Sequence, residues 1–253
     1  MTAWPRSISG TAMERTMPDP TSLLTVAGLR SGYGGKPVLQ GVDLSVRDRE
    51  VTAVIGRNGV GKSTLMKAVI GLLPATDGTI RFNGADIGAE TPHVRARRGI
   101  GYVPQGRDVF PRMSVEENLL VGLSISGART ADFEPVYANF PILKERRRQA
   151  AGTLSGGQQQ QLAIGRVLVG QPTLLLLDEP SEGIQPSIVQ DIARIVVELN
   201  RKTGLTVVFV EQNIDMIRAM AQRCYVMDKG RVVAELTPAM LDDSEVVRRY
   251  LAV

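Results

Sequence analysis

The sequence predicts an α/β protein in which a mainly parallel sheet is covered by helices and interrupted by a helical insertion. Three observations carry that expectation. From Leu23 onward short apolar strands alternate with helical patterns, the signature of a sheet with helices on its faces. Leu174-Leu175-Leu176-Leu177, flanked by Pro172 and Asp178, is an unbroken apolar run, which is how a strand buried on both faces reads. Between Gln105 and Gly152 apolar strands disappear and helical composition replaces them.

In chain order, residues 1–22 carry Pro5, Pro18 and Pro20 and lack the apolar core of a signal peptide. They read as a disordered tail, and Met13 and Met17 are alternative starts. A strand is expected over 51–55, followed after a glycine loop by an apolar helix over 65–72. The next strand is 100–103, and helical composition follows in 114–123 and 132–148. After the leucine strand at 174–177, Ile188, Ile192, Ile195, Val196 and Leu199 share one face of a helix over 187–202, which Gly204 ends. A strand over 205–210, a hairpin turning at Gly230 and an amphipathic helix over 244–251 complete the chain.

The 253 residues suffice for one large domain, or one plus a subdomain, and leave no room for a second complete enzyme. Apolar residues at 43% and charged residues at 22% are ordinary globular values. A net charge of +4 suits an anionic nucleotide or docking near anionic lipid, but falls short of the basic stripe that nucleic acid requires. Arg146, Arg147 and Arg148, the tightest basic run, read as a solvated helical face. The single cysteine, Cys224, excludes an internal disulfide, suits a reducing compartment and reads as a buried strand residue. No apolar run approaches the roughly 18–20 residues of a membrane helix.

The chemistry begins after the strand at 51–55. Gly56-Arg57-Asn58-Gly59-Val60-Gly61-Lys62-Ser63-Thr64 leads from that strand into a helix, the context of a phosphate-binding loop. Its glycines allow a concavity of inward N–H groups, and the helix start adds its positive dipole end. Lys62 then reaches the β- and γ-phosphates of a nucleotide and the Ser63 hydroxyl serves Mg2+. Asp178 and Glu179, at the end of the leucine strand, supply the second half of such a site. Asp178 is the expected metal carboxylate and Glu179 the expected base for the attacking water. Leu154-Ser155-Gly156-Gly157-Gln158 lies 20 residues before Asp178. A serine-glycine turn before a helix is common as a cap, but in this spacing it becomes specific.

With these motifs the chain resembles the nucleotide-binding subunits of the ABC superfamily, from about residue 23 to 253. The resemblance implies an ABC-type phosphate-loop NTPase fold with a mainly parallel core sheet, an antiparallel β region and an inserted helical subdomain. The core would be 23–104 with 153–253, and the subdomain about 105–152. ATP and Mg2+ are the implied ligands, ATP hydrolysis the implied activity, and Ser155, Gly156, Gly157 and Gln158 would face the nucleotide held by a second ATPase subunit, closed head to tail. Tyr33 occupies the position of the aromatic that stacks on adenine. Gln105 matches the glutamine that senses Mg2+ and γ-phosphate and begins the helical subdomain. Residues 181–186 form the loop that touches the opposite subunit, although Ser181-Glu182-Gly183-Ile184-Gln185-Pro186 departs from the commoner wording. The main departure is Gln212, where most relatives have a histidine contacting the γ-phosphate. An amide donates a hydrogen bond but carries no proton, so slow turnover is expected. The chain's one histidine, His93, lies far from every motif.

The wording at 101–119 and at Glu211-Gln212-Asn213 resembles importers of branched-chain amino acids and short amides, and that at 158–165 and 178–188 is most similar to the urea importer's ATPase subunit. Urea is the first reading of the cargo and branched-chain amino acids the second. The same resemblance implies two membrane permeases, an external binding protein, and a peripheral position on the cytoplasmic face of the membrane. Phe110, Pro111 and Met113, rimmed by Arg107, Arg112 and Glu116, read as a socket for the permease. The rival readings are a soluble non-transport ABC ATPase and a nucleotide-sensing module. Only 92 residues separate Lys62 from Leu154, with no sustained heptads, which disfavours the coiled-coil repair enzymes. The intact Glu179 disfavours the sensor.

Overall fold

The structure, a computed structural model, describes residues 22–126 and 132–251. The expected tail lies outside the described residues up to position 21, and Ser22 already opens a strand. Strands β1 (Ser22–Tyr33) and β2 (Lys36–Arg47) pair antiparallel across a tight turn, with Tyr33 opposite Lys36. β3 (Val51–Ile55) leads into α1 (Lys62–Ile70). β4 (Asp77–Phe82) and β5 (Ala85–Asp86) then complete an antiparallel sheet of order β2-β1-β4-β5. α2 (Pro92–Arg97) and β6 (Ile100–Val103) precede the helices α3 (Val115–Ser126), α4 (Glu134–Asn139), α5 (Pro141–Glu145) and α6 (Gly156–Leu168). The remaining elements are β7 (Leu174–Asp178), α7 (Pro186–Thr203), β8 (Thr206–Glu211), α8 (Ile214–Met220), β9 (Arg223–Asp228), β10 (Arg231–Leu236) and α9 (Ser244–Tyr250).

The second sheet has the order β10-β9-β3-β8-β7-β6. Every pairing from β9 to β6 is parallel, and only β10 returns antiparallel as the hairpin partner of β9. The expected fold class therefore stands: a mainly parallel core sheet, an antiparallel β region and an inserted helical stretch. Alternation along the strands divides the apolar residues between two cores. Ala53, Ile55, Leu175, Leu177, Val207 and Phe209 face α3 to α8, whereas Val54, Leu174, Leu176, Val208 and Val210 face α1 and the antiparallel sheet. The four leucines of β7 are fully buried, and each contributes roughly 2 kcal/mol through that burial.

Helix ends follow their sequence signals. α7 starts at Pro186 and closes at Gly204, whose φ of 74° is left-handed. α3 begins with a reciprocal cap: Glu117 N–H donates to Ser114 Oγ, and Ser114 N–H to Glu117 Oε2 at 2.7 Å. Arg95 is 2% exposed and donates to the carbonyls of Ala68 and Val69 at 2.8 Å each, Gly88 at 2.9 Å and Glu90 at 3.0 Å. It thereby caps the C-terminal end of α1 with a buried cation.

One helical expectation needs correction. Residues 132–148 do not form one helix, because Pro141 forces Phe140 out of helical geometry, to φ −128° and ψ 74°, and divides the segment into α4 and α5. Arg146, Arg147 and Arg148 accordingly sit in an exposed turn rather than on a helical face. Phe133, Val136, Tyr137, Phe140 and Leu143 are buried and join the core beneath α3 and α6. At the other end α9 buries no residue fully, but Val246, Tyr250 and Leu251 pack against the core. Cys224 on β9 is fully buried, and burial pushes its thiol up to about 12. Among the described residues no helix is long and apolar enough to cross a membrane.

Candidate active site

Parallel pairing brings the carboxyl ends of the central strands to one edge. Ile55 lies opposite Glu211, Val210 opposite Asp178, and Leu177 opposite Val103. The segments leaving those ends are the phosphate loop, Glu179, Gln212 and Gln105, so four stretches distant in sequence meet where open α/β sheets hold their ligands.

The phosphate loop turns into α1 through Gly61, which adopts φ 109°, a conformation that side chains resist. The first turn of α1 carries no acidic residue, which leaves its N–H groups and dipole for an anion. Arg57, Asn58 and Gly59 are exposed, whereas Gly56, Lys62 and Thr64 are buried. Lys62 Nζ donates to the carbonyls of Gly56 at 3.0 Å and Arg57 at 3.1 Å, and lies 3.6 Å from Glu179 Oε1. Burial lowers its pKa, and the nearby carboxylates, Glu179 first, oppose that shift.

Asp178 ends β7 at 2% exposure. Its Oδ1 accepts from Ser63 Oγ at 2.8 Å and its Oδ2 from the Tyr102 hydroxyl at 3.1 Å. Burial raises the carboxyl pKa, while those two donors and the nearby lysines pull it back. Burial, and then the charge of Asp178, drive the Tyr102 phenol well above its ordinary pKa, so it remains a donor. Glu179 takes φ 48°, unusual for a residue with a side chain, and its N–H donates to Val210 O at 3.1 Å. Burial raises its pKa as well, against the pull of Lys62. Gln105 Nε2 donates to Glu182 Oε2 at 3.0 Å and to Glu179 Oε2 at 3.3 Å. Its amide nitrogen therefore meets the acids.

Gln212 Nε2 donates to Asn58 Oδ1, which places this side chain against the phosphate loop. Tyr33 ends β1 at 46% exposure. The serine-glycine turn is elsewhere. Ser155 caps α6 reciprocally with Gln158, Gly157 is buried, and Gly156 lies against the Arg107 guanidinium. Arg107 in turn donates to the carbonyls of Glu182 at 2.9 Å and Gly183 at 3.3 Å. Among the described residues no hydrogen bond or ion pair joins 155–158 to 56–64. Sequence reasoning missed Tyr102. Its signal is register: Tyr102 pairs with Leu176, two residues before Asp178 on the same face of the sheet.

A bound triphosphate with Mg2+ fits this donor set. The Ser63 hydroxyl and Asp178 carboxylate are hard oxygen donors in mutual contact, and the Lys62 ammonium lies beside them at the start of α1.

Fold and site together define a phosphate-loop ATPase. The chain belongs to the ABC transporter family, whose profile matches residues 39–182, and it is an ATP-binding subunit of that family of ATP hydrolases. It is 43% identical to the high-affinity branched-chain amino acid transport ATP-binding protein BraG of Pseudomonas aeruginosa, across 85% of this chain and 93% of BraG. It is 38% identical to the lipopolysaccharide export system ATP-binding protein LptB of Escherichia coli, across 90% and 96%. Among solved structures, the ADP conformation of an ATP-binding cassette from an ABC transporter superposes with a TM-score of 0.77 at 31% identity, across 90% of this chain and 97% of that one.

Proposed function

We propose that this subunit energises uptake of urea or a related short amide by hydrolysing ATP in a head-to-tail pair with a second ATPase subunit beneath two permeases. The observation that carries the ATPase chemistry is the convergence of Lys62, Ser63, Asp178 and Glu179 at one sheet edge. Lys62 exchanges its loop carbonyls for β- and γ-phosphate oxygens, Ser63 and Asp178 hold Mg2+, and Tyr33 stacks on adenine. Mg2+, when bound, neutralises charge on the phosphate oxygens. Glu179 accepts a proton from water as its oxygen bonds to the γ-phosphorus and the bond to the bridging oxygen breaks, yielding ADP and phosphate. Gln212 donates to the γ-phosphate. Gln105 reports the state of the site to residues 105–152, which act as the subdomain inserted in the core of 23–104 and 153–253.

The separation of residues 155–158 from the phosphate loop supports the paired arrangement. Ser155, Gly156, Gly157 and Gln158 then complete the partner's nucleotide site. The exposed Phe110, Pro111 and Met113 support a permease socket, and buried Asn118 holds that loop by accepting from Phe110 N–H at 2.9 Å and donating to Phe110 O at 3.1 Å. The position is peripheral, on the cytoplasmic face.

Urea rests on the wording of residues 158–165 and 178–188, and the named relative BraG favours branched-chain amino acids as the second reading. The test is reconstitution with the permeases and external binding protein in vesicles. Urea-loaded binding protein is expected to stimulate ATP hydrolysis and uptake. Stimulation by leucine and not urea assigns the second reading, and hydrolysis indifferent to either removes the importer.

A further inference from the structure

We infer that Glu211, outside the phosphate loop and the acid pair, is a positioning residue that yokes the switch turn to the loop facing the opposite subunit. It is the last residue of β8, in register with Ile55, and its side chain lies in a region only 2% exposed. Its two oxygens serve different segments. Oε1 accepts from Ser181 N–H at 2.9 Å, and Oε2 accepts from Gln212 N–H at 2.8 Å and Asn213 N–H at 3.0 Å. No cation forms an ion pair with it among the described residues. Three backbone donors are what make a buried carboxylate tolerable, so it resists losing any of them. Helix capping does not account for Glu211, because the cap of α8 is Asn213, whose side chain accepts from Met216 N–H at 3.0 Å.

The geometry gives the clamp a consequence. Ser181 stands two residues after Glu179, in the stretch proposed to meet the partner, and Gln212 reaches Asn58 of the phosphate loop. A displacement of Ser181 drags the carboxylate, and with it the backbone that aims Gln212. Partner approach is thereby felt at the γ-phosphate position through one side chain. The inference rests on the proposed role of Gln212 at that phosphate.

The test uses the assembled transporter. Glu211→Gln keeps one acceptor and turns the other into a donor facing N–H groups. It is expected to lower kcat roughly 10-fold, as loss of an orienting partner does, with the KM for ATP and the Tm little changed. Adding Gln212→Ala to Glu211→Gln is expected to lower kcat no further, because both remove one function. Effects that multiply, an unchanged kcat in Glu211→Gln, or a fallen Tm with unchanged kcat per bound nucleotide each overturn the inference. Wild-type turnover in Gln212→Ala alone sinks the switch role instead, and is thus distinguishable. Hydrogen exchange on the unsubstituted protein reads the clamp without risk to folding. The amides of Ser181, Gln212 and Asn213 should be protected together and change together when ATP is added, and independent behaviour overturns the yoke.

Discussion

Lys62 Nζ stands 3.6 Å from Glu179 Oε1, and the side chains are 3% and 16% exposed, so the candidate phosphate-binding cation and the candidate base face each other directly. A triphosphate at Lys62 competes for that ammonium. In the proposed mechanism its arrival would weaken the ion pair and leave Glu179 free to accept a proton, coupling occupancy to readiness for hydrolysis.

Glu179→Gln should therefore bind ATP and lose turnover by at least about 100-fold, since a general base is worth that much or more. Burial raises the Glu179 pKa, and the protonated acid is useless as a base. The acid limb of kcat/KM should fall at higher pH than an ordinary glutamate would give, and Glu179→Gln should flatten it. A pH profile of ATP hydrolysis checks both.

Tyr102→Phe removes the phenol that donates to Asp178 Oδ2. The carboxylate keeps its partner Ser63 but loses orientation, so the Mg2+ concentration for half-maximal hydrolysis should rise roughly 10-fold, the usual cost of deleting an orienting partner. Saturating Mg2+ should restore most of the rate. Titration of activity against Mg2+ decides it.

Gly157→Ala would set a Cβ 2.6 Å from Ile188 Cδ1, where α6 meets α7. Overpacking of that kind costs about 1–3 kcal/mol. Trimming the obstacle with Ile188→Ala should recover the thermal stability of Gly157→Ala. If the serine-glycine turn also serves the partner's nucleotide, hydrolysis should stay low in the repaired double variant, read by comparing Tm with turnover.

Arg95→Met should destabilise the subunit by about 3 kcal/mol, because Val69 O, Gly88 O and Glu90 O lose their guanidinium donor, while Ala68 O keeps Gly71 N–H. The urea midpoint measures this.

The Cys224 thiol, pushed up to about 12 and fully buried, should be inert in the folded protein. At pH 8 only on the order of one thiol in 10,000 is ionised. An alkylating reagent should label Cys224 promptly in denaturant and barely without it.

Several elements were legible because their sequence signal is strong and local. The unbroken leucines of β7, the β-branched run of β8 and the single-faced apolar residues of α7 each allow one solution. The phosphate loop and acid pair were legible because glycine, lysine and carboxylate spacing is dictated by phosphate chemistry. β1 and β2 are harder to read, since register shifts break their alternation into short stretches, Leu24 with Val26 and then Leu29 in β1, Leu39 and then Val42, Leu44 and Val46 in β2. The break between α4 and α5 is written in Pro141, which the helical composition of 132–148 masks. Tyr102 and Glu211 draw their importance from residues on other strands, and the identity of a strand neighbour is set by topology rather than by local wording.

The alignment of β3, β6, β7 and β8 at one edge means the ligand-holding group exists only while all four strands remain in register. An unravelled chain has nothing comparable to offer, so nucleotide acts as a tie on global unfolding: at a free concentration 100 times Kd it adds about 2.7 kcal/mol to the folded state. Fuel supply and durability are thus linked. A subunit kept loaded resists proteases and heat, and the same subunit starved of ATP is the one most open to turnover by the cell.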